Sequence, residues 1–487
     1  MKLKAQAISG IRWTALENAI SLLVSLASIS ILTRFLVPED FGLMAIAMVV
    51  IGFSQAFVDM GFSNAILYRQ DLTNRQLSTL YWLNLCAGLI VFAILLIGAQ
   101  LVAGFYAEPS LQAVVMLASI NFLILPLGQQ FAVLMRKEFK FHLLSKIGIF
   151  GRLLTLLVAV LLAYYGFGVY ALVISNLVGA AVTTILMIYF GLTYHRPALQ
   201  MHVSEVKDFF SFGAYQMMEK MANYFNSNID TIIIGRALGV GDLGIYNIAK
   251  QLTMRPAQMI NPIVTRVALP LMAKMQNDIP QLKNIYLTSI NYLCSVNFPI
   301  YFMIYFFAND ITLLMLGEKW LHAVPTIQLL AIYCALRSIG NPVGSLLLAR
   351  GRAKLAFLWN LALLAILPVS MFIGSFWGLH GIAMSLVIMS LALMLPNWLV
   401  LVQPLCGAAF VEYHRQIIKP AVIAWGGAVA AFHLVQAIDF AWGRLLLGAW
   451  LCLAFLLVLN FCFNRQFVSA LQQFASERKS NQPGAAD

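Results

Sequence analysis

RFLVPEDFG, Arg34 to Gly42, returns 202 residues later as RALGVGDLG, Arg236 to Gly244. Each copy follows one apolar run and precedes another, so the match reads as a duplicated unit of helix, loop and helix. At the same offset Glu17 pairs with Glu219, well inside the preceding runs, which carries the repeat beyond a loop that could recur by chance. The chain therefore reads as two homologous membrane bundles in tandem.

Composition points the same way: 61% of the residues are hydrophobic and 10% charged, and the mean hydropathy is +0.84, outside the range of soluble domains. Apolar runs long enough to cross a bilayer begin near Ile11, Phe41, Trp82, Ala113, Gly148 and Gly168, then near Ser211, Leu243, Leu287, Ala323, Leu355 and Gly381. Two more begin near Ile417 and Arg444, so about fourteen spans are expected. The run from Ala323 to Ala349 is weakened by Arg337, Asn341 and Pro342. The expected fold is all-α and polytopic, with two pseudo-symmetric six-helix lobes, 1–192 and 211–402. A cytoplasmic amphipathic linker, 193–212, runs into the seventh span and carries Phe209, Phe210 and Phe212 for the interface. An accessory helix pair, 403–464, and a cytoplasmic tail, 465–487, follow.

With the N-terminus in the cytoplasm, 21 of the 31 basic residues fall in cytoplasmic segments and four, Arg34, Arg236, Lys319 and Arg444, fall outside. That is the positive-inside pattern, with both termini cytoplasmic and the lobes inserted in parallel. The formal charge of +12 is thus mostly topology, and its scatter over short loops speaks against a nucleic-acid partner. Glu17 and Asn18 interrupt the first apolar run, so no cleaved signal peptide is expected. The six cysteines sit singly without metal-ligand spacing, and P-loop and GxSxG motifs are absent. No metal, cofactor or enzymatic activity is expected.

Ionisable groups at membrane depth are costly unless they face a cavity or a partner, so function is sought among them. The first span carries Glu17, Asn18, Ser21, Ser25 and Ser28 on one helical stripe, and a shift of 202 turns these into Glu219, Lys220, Asn223, Ser227 and Asp230. The next repeated span has Met48, Phe53 and Asn64 in the first copy but Lys250, Arg255 and Arg266 in the second. Cations have accumulated in one repeat only. Lys250 shares its face with Asn261, and Arg337 lies near mid-membrane in the tenth span, just before Asn341 and Pro342, which can free backbone groups to line a cavity. Arg337, Arg255, Lys250, Arg266, Lys220, Asn223 and Asn261 are the candidate substrate contacts, suited to a phosphate-bearing ligand. Asp230, Glu219 and Glu17 are the candidates for ion coupling. The alternatives for these residues are helix contacts, snorkelling and pairing with a buried carboxylate; Arg152, like Arg266, lies nearer the cytoplasmic edge. Asp40 and Asp242 read as helix N-caps, with Gly42 and Gly244 allowing close packing.

TLYWLN (Thr79 to Asn84), PLGQQF (Pro126 to Phe131), LMRKEFKF (Leu134 to Phe141), NPIVTRV (Asn261 to Val267), GEKW (Gly317 to Trp320) and LRSIGNPVGSLLLARGR (Leu336 to Arg352) resemble the polysaccharide-transporter branch of the MOP flippase superfamily. Within it the motifs are most similar to colanic-acid-type lipopolysaccharide exporters of the Wzx class. The resemblance runs from about Ile8 to beyond Lys419 and takes in Arg266 and Arg337, but not Lys250 or Arg255. It implies a fourteen-span, two-lobed protein of the bacterial inner membrane, flipping an undecaprenyl-pyrophosphate-linked oligosaccharide to the periplasmic side by alternating access. Coupling to a proton or sodium gradient, contact with membrane lipids and a glycan polymerase as candidate partner are expected with it. Three other functions are weighed beside this one. A multidrug or cation antiporter on the same architecture should have a cleft dominated by carboxylates, a glycan polymerase or ligase should carry a large outer loop, and a scramblase or scaffold would need neither.

Overall fold

The computed structural model describes residues 2–59, 62–69 and 71–463, without the side chains of 2–8, 64, 65, 68, 203, 205, 207–216, 219, 222 and 461–463. The described residues are helical with no strand, and the chain divides into two compact units, Met1–Asn247 and Ile248–Asp487. The tail 465–487 lies outside the described residues.

The first unit holds α1 (Lys2–Phe35), α2 (Pro38–Asp59), α3 (Phe62–Tyr68), α4 (Asn74–Tyr106), α5 (Ser110–Ser119), α6 (Asn121–Lys137), α7 (Phe141–Tyr164), α8 (Val169–Gly191) and α9 (Lys207–Ala237). Helix α10 (Val240–Lys274) starts in the first unit and continues into the second. There it is followed by α11 (Ile279–Phe306), α12 (Ala308–Met315), α13 (Val324–Ile339), α14 (Asn341–Ala349), α15 (Ala353–Ser375) and α16 (Gly378–Ala392). Short α17 (Met394–Asn397), a π turn and α18 (Gln403–Cys406) lead to α19 (Phe410–Val435) and α20 (Ala441–Phe463).

Among the described residues twelve helical segments are long and apolar enough to span a membrane. The expected seventh and eighth spans correspond to α9 and α10, which are 31 and 35 residues long but are not among the twelve. The polar stripe of α9 and the four cations and three prolines of α10 lower their hydropathy. Two spans are broken rods: Ser110–Lys137 is split at Ile120 into α5 and α6, and Glu318–Ala349 at Gly340 into α13 and α14.

Local chemistry sets the boundaries. Thr73 Oγ1 accepts from Gln76 N at 3.2 Å while Thr73 N donates to Gln76 Oε1 at 3.1 Å, a capping box that starts α4. Asp278 caps α11 through Gln281 N at 3.1 Å. Asp40 is not an N-cap: Pro38, preorganised for the first helical position, already begins α2. From that first turn the Asp40 carboxylate reaches back to accept the Val37 N–H at 3.1 Å and also accepts from the backbone of Val169, tying α2 to the start of α8. Asp242 likewise lies inside the first turn of α10.

In the first unit α7 packs on α1 and α8, and α6 packs on α8. A Cβ at Gly151 would strike Thr183 and one at Gly179 would strike Thr155, so α7 and α8 approach through small residues, as membrane helices do. In the second unit α11 packs on α13 and α19, while α19 and α20 pair and clamp Phe302 and Phe306 against Ala428, Ala431 and Cys452. Arg444 ties α20 to α12 through Asp310, Nη2 to Oδ1 at 2.6 Å. Helix α15 has only 6% of its apolar window buried, which leaves it a surface suited to lipid rather than water.

Candidate functional site

Helix α9 presents Lys220, Asn223, Ser227 and Asp230 at helical spacing within the first unit. Lys220 Nζ lies 2.5 Å from Asp59 Oδ2, and Asp59 Oδ1 accepts from Gln129 Nε2 at 2.7 Å and Ser63 Oγ at 2.5 Å. One carboxylate at the end of α2 thus gathers α3, α6 and α9, and at 8% exposure it is buried enough to need those partners. Asn223 stays exposed. Asp230, also 8% exposed, accepts from Tyr246 Oη at 2.9 Å on one oxygen and from Thr231 N at 2.8 Å on the other. Glu17, half-buried on α1, lies over Gly148 of α7, where an added Cβ would come within 2.7 Å of its carboxylate. Glu219 lies on α9, and its side chain is outside those described.

In the second unit Lys250, Arg255, Asn261 and Arg266 follow one another along α10, interrupted by Pro256 and Pro262. Prolines remove ladder donors from a helix and displace its carbonyls. Here the Ala257 N–H donates instead to the Tyr301 hydroxyl of α11 at 3.2 Å. Tyr301 is within electrostatic reach of Arg337. Cys334 of α13 is within electrostatic reach of both Arg337 and Lys250. Lys250 and Arg337, 87 residues apart in sequence, therefore both act electrostatically on Cys334. Arg337 sits in the last turn of α13, beside the break at Gly340. Asn261 is buried and accepts from Asn297 Nδ2 at 2.9 Å, while Asn297 Oδ1 finds no partner among the described residues. Arg255 is half-buried; Arg266 is exposed further along α10.

The structure thus joins Asn261 with Asn297, and sets Lys250 and Arg337 within electrostatic reach of one thiol. It spends Lys220 on Asp59 and leaves Arg266 apart. Asp59 and Gln129 were not among the candidates. The signal for Asp59 was available, because it stands 202 residues before Asn261; the two repeats hold a buried polar residue at the same place. Gln129 lies within PLGQQF. Among the described residues no His, Cys, Asp and Glu side chains cluster in a way that would hold a metal.

Residues 31–325 match the family described as polysaccharide biosynthesis protein. The lipopolysaccharide biosynthesis protein WzxC of Escherichia coli (strain K12) is 30% identical over 89% of this chain and 88% of its own length. The teichuronic acid biosynthesis protein TuaB of Bacillus subtilis (strain 168) is 34% identical over 93% of this chain and 95% of its own. Among solved structures, the lipid II flippase MurJ in an inward closed conformation superposes with a TM-score of 0.75, covering 94% of this chain and all of that one at 13% identity, a likeness of fold.

Proposed function

From the premise that this chain belongs to the polysaccharide biosynthesis protein family and is a multi-pass membrane protein, we propose that it flips a lipid-linked oligosaccharide. The substrate would be an undecaprenyl-pyrophosphate-linked repeat unit for an exopolysaccharide or lipopolysaccharide, moved across the bacterial inner membrane. No covalent bond of the glycan is made or broken. The observation that best supports this reading is that Lys250, on a proline-bearing helix, and Arg337, beside the α13–α14 break, both act electrostatically on Cys334.

The physical problem is the headgroup. A diphosphate bearing sugars cannot enter hydrocarbon, whereas its polyprenyl tail can stay there, so the protein must shelter only the head. Arg337 offers a guanidinium fork for two phosphate oxygens and Lys250 a second cation. The hydroxyl and amide groups of Tyr301, Asn261 and Asn297 suit sugars. Both termini and the 193–212 segment are cytoplasmic on this reading, and the duplicated segments 1–192 and 211–402 rock to alternate access. Asp230, whose buried carboxylate accepts from Tyr246 and Thr231, is the favoured coupling group for a proton or sodium ion, with Glu219 and Glu17 next. A glycan polymerase is the natural consumer of the flipped unit. The experiment is export by Arg337→Ala in cells lacking the native gene, read as surface glycan against accumulated lipid-linked precursor.

A further inference from the structure

A cavity of about 410 Å³ opens where the segment after α8 returns to the first turns of α4, all within the first unit. Arg75, Arg196, Asn74, Ser78, His195 and Gln200 are among the side chains that line it, and among the described residues no carboxylate does. The return segment is pinned: the Ala198 N–H donates to Ser78 Oγ at 3.0 Å, the His202 N–H to Thr79 Oγ1 at 3.1 Å, and the Trp82 indole to the Ala198 carbonyl at 2.8 Å. Arg196 and Arg75 line the same cavity, while His195, 4% exposed, faces Ser78 Oγ at 3.4 Å. Burial lowers the pKa of His195, so its ring is a neutral hydrogen-bonding group near pH 7.

The same segment turns apolar groups outward: Leu199 is 89% exposed and Met201 48%. A cationic cavity edged by exposed apolar side chains suits neither bulk water nor hydrocarbon. It suits the level of lipid headgroups, where phosphates lie above acyl chains.

We propose that this cavity is a second anion site, separate from Lys250 and Arg337, in which Arg75 and Arg196 clamp the phosphate of a membrane-lipid headgroup and hold the segment 192–202 on α4. The phosphate could come from an anionic phospholipid or from the diphosphate of a polyprenyl lipid; the chemistry is shared, and the inference does not depend on which substrate is flipped.

The test uses the full-length protein in detergent, with bound lipids counted by native mass spectrometry. Phosphatidylglycerol, undecaprenyl pyrophosphate and zwitterionic phosphatidylcholine are added separately to wild type and to the double variant Arg75→Gln, Arg196→Gln. One anionic lipid should be retained by wild type and bound about tenfold more weakly, or worse, by the variant, with phosphatidylcholine unaffected. A loss confined to phosphatidylglycerol assigns the site to a phospholipid, and one confined to undecaprenyl pyrophosphate assigns it to the polyprenyl diphosphate. Equal retention of both anionic lipids by variant and wild type overturns the proposal. Arg75 and Arg196 are exposed, so the variant should match wild type in melting temperature without added lipid. Arg196→Lys keeps the charge and should retain most of the binding; loss as complete as in Arg196→Gln, with unchanged melting, would also overturn an electrostatic clamp.

Discussion

Gly42 and Gly244, equivalent positions of the two sequence repeats, meet each other: a Cβ added to Gly244 would sit 3.1 Å from the Gly42 amide nitrogen and collide with the Pro38 carbonyl. Reciprocally, a Cβ on Gly42 would collide with the Val240 carbonyl. The first turns of α2 and α10 therefore touch backbone to backbone within the first unit, through the two residues that revealed the duplication. A contact in which each copy meets the same part of the other is the signature of twofold self-complementarity.

Gly42→Ala and Gly244→Ala should each destabilise the protein by about 1 to 3 kcal/mol, because the obstructing atoms are backbone and cannot rotate away. Gly98 has nothing within 4 Å of an added Cβ, so Gly98→Ala should be neutral or slightly stabilising. Melting temperatures of the three variants in one detergent check this; equal effects at all three positions would contradict it.

Lys220→Ala should be worse for folding than Lys220→Ala combined with Asp59→Asn, since the single variant strands a buried carboxylate. The Lys220 side chain is 43% exposed and that of Asp59 11%, so water weakens the pair and the coupling in a double-mutant cycle should be only about 1 kcal/mol. If the double variant still exports glycan at more than half the wild-type rate, Lys220 serves the pair; if export is lost while stability is restored, Lys220 touches substrate.

His195 makes stability depend on pH. Its folded pKa lies below the ordinary 6.5, so on acidification the unfolded chain takes up a proton first. Stability is fully present above about pH 6.5 and is lost as pH falls through the folded pKa. Between pH 7 and pH 5 the melting temperature of wild type should fall more than that of His195→Gln; parallel curves would remove the histidine from the account.

Asp230→Asn should keep headgroup binding but lose gradient dependence, if the carboxylate takes up and releases the coupling ion. Proteoliposomes with imposed proton and sodium gradients read this directly, and identical gradient dependence in variant and wild type would sink the coupling role.

The fold was largely legible because membrane helices announce themselves by length and apolarity, and the duplication by a nine-residue echo. Helices α9 and α10 read in sequence as apolar runs from Ser211 and Leu243, yet their polar and charged residues keep them out of the twelve segments apolar enough to span. The site was legible in part. Polar residues within the helices could be named from sequence, but which of them pair could not, because Lys220 with Asp59 brings together helices far apart in the chain. Asp40 was misplaced by a few residues because an aspartate after a turn reads as a cap, whereas Pro38 had already started the helix.

The central claim rests on Arg337, and the most direct measurement is surface glycan in cells carrying wild type, Arg337→Lys or Arg337→Ala at matched membrane levels. Loss of a charge-assisted, bidentate contact is worth about 1.5 to 3 kcal/mol, so Arg337→Ala should export at least about tenfold less, with lipid-linked precursor accumulating on the cytoplasmic side. Arg337→Lys should recover part of the difference. Near-normal export by Arg337→Ala would contradict the account.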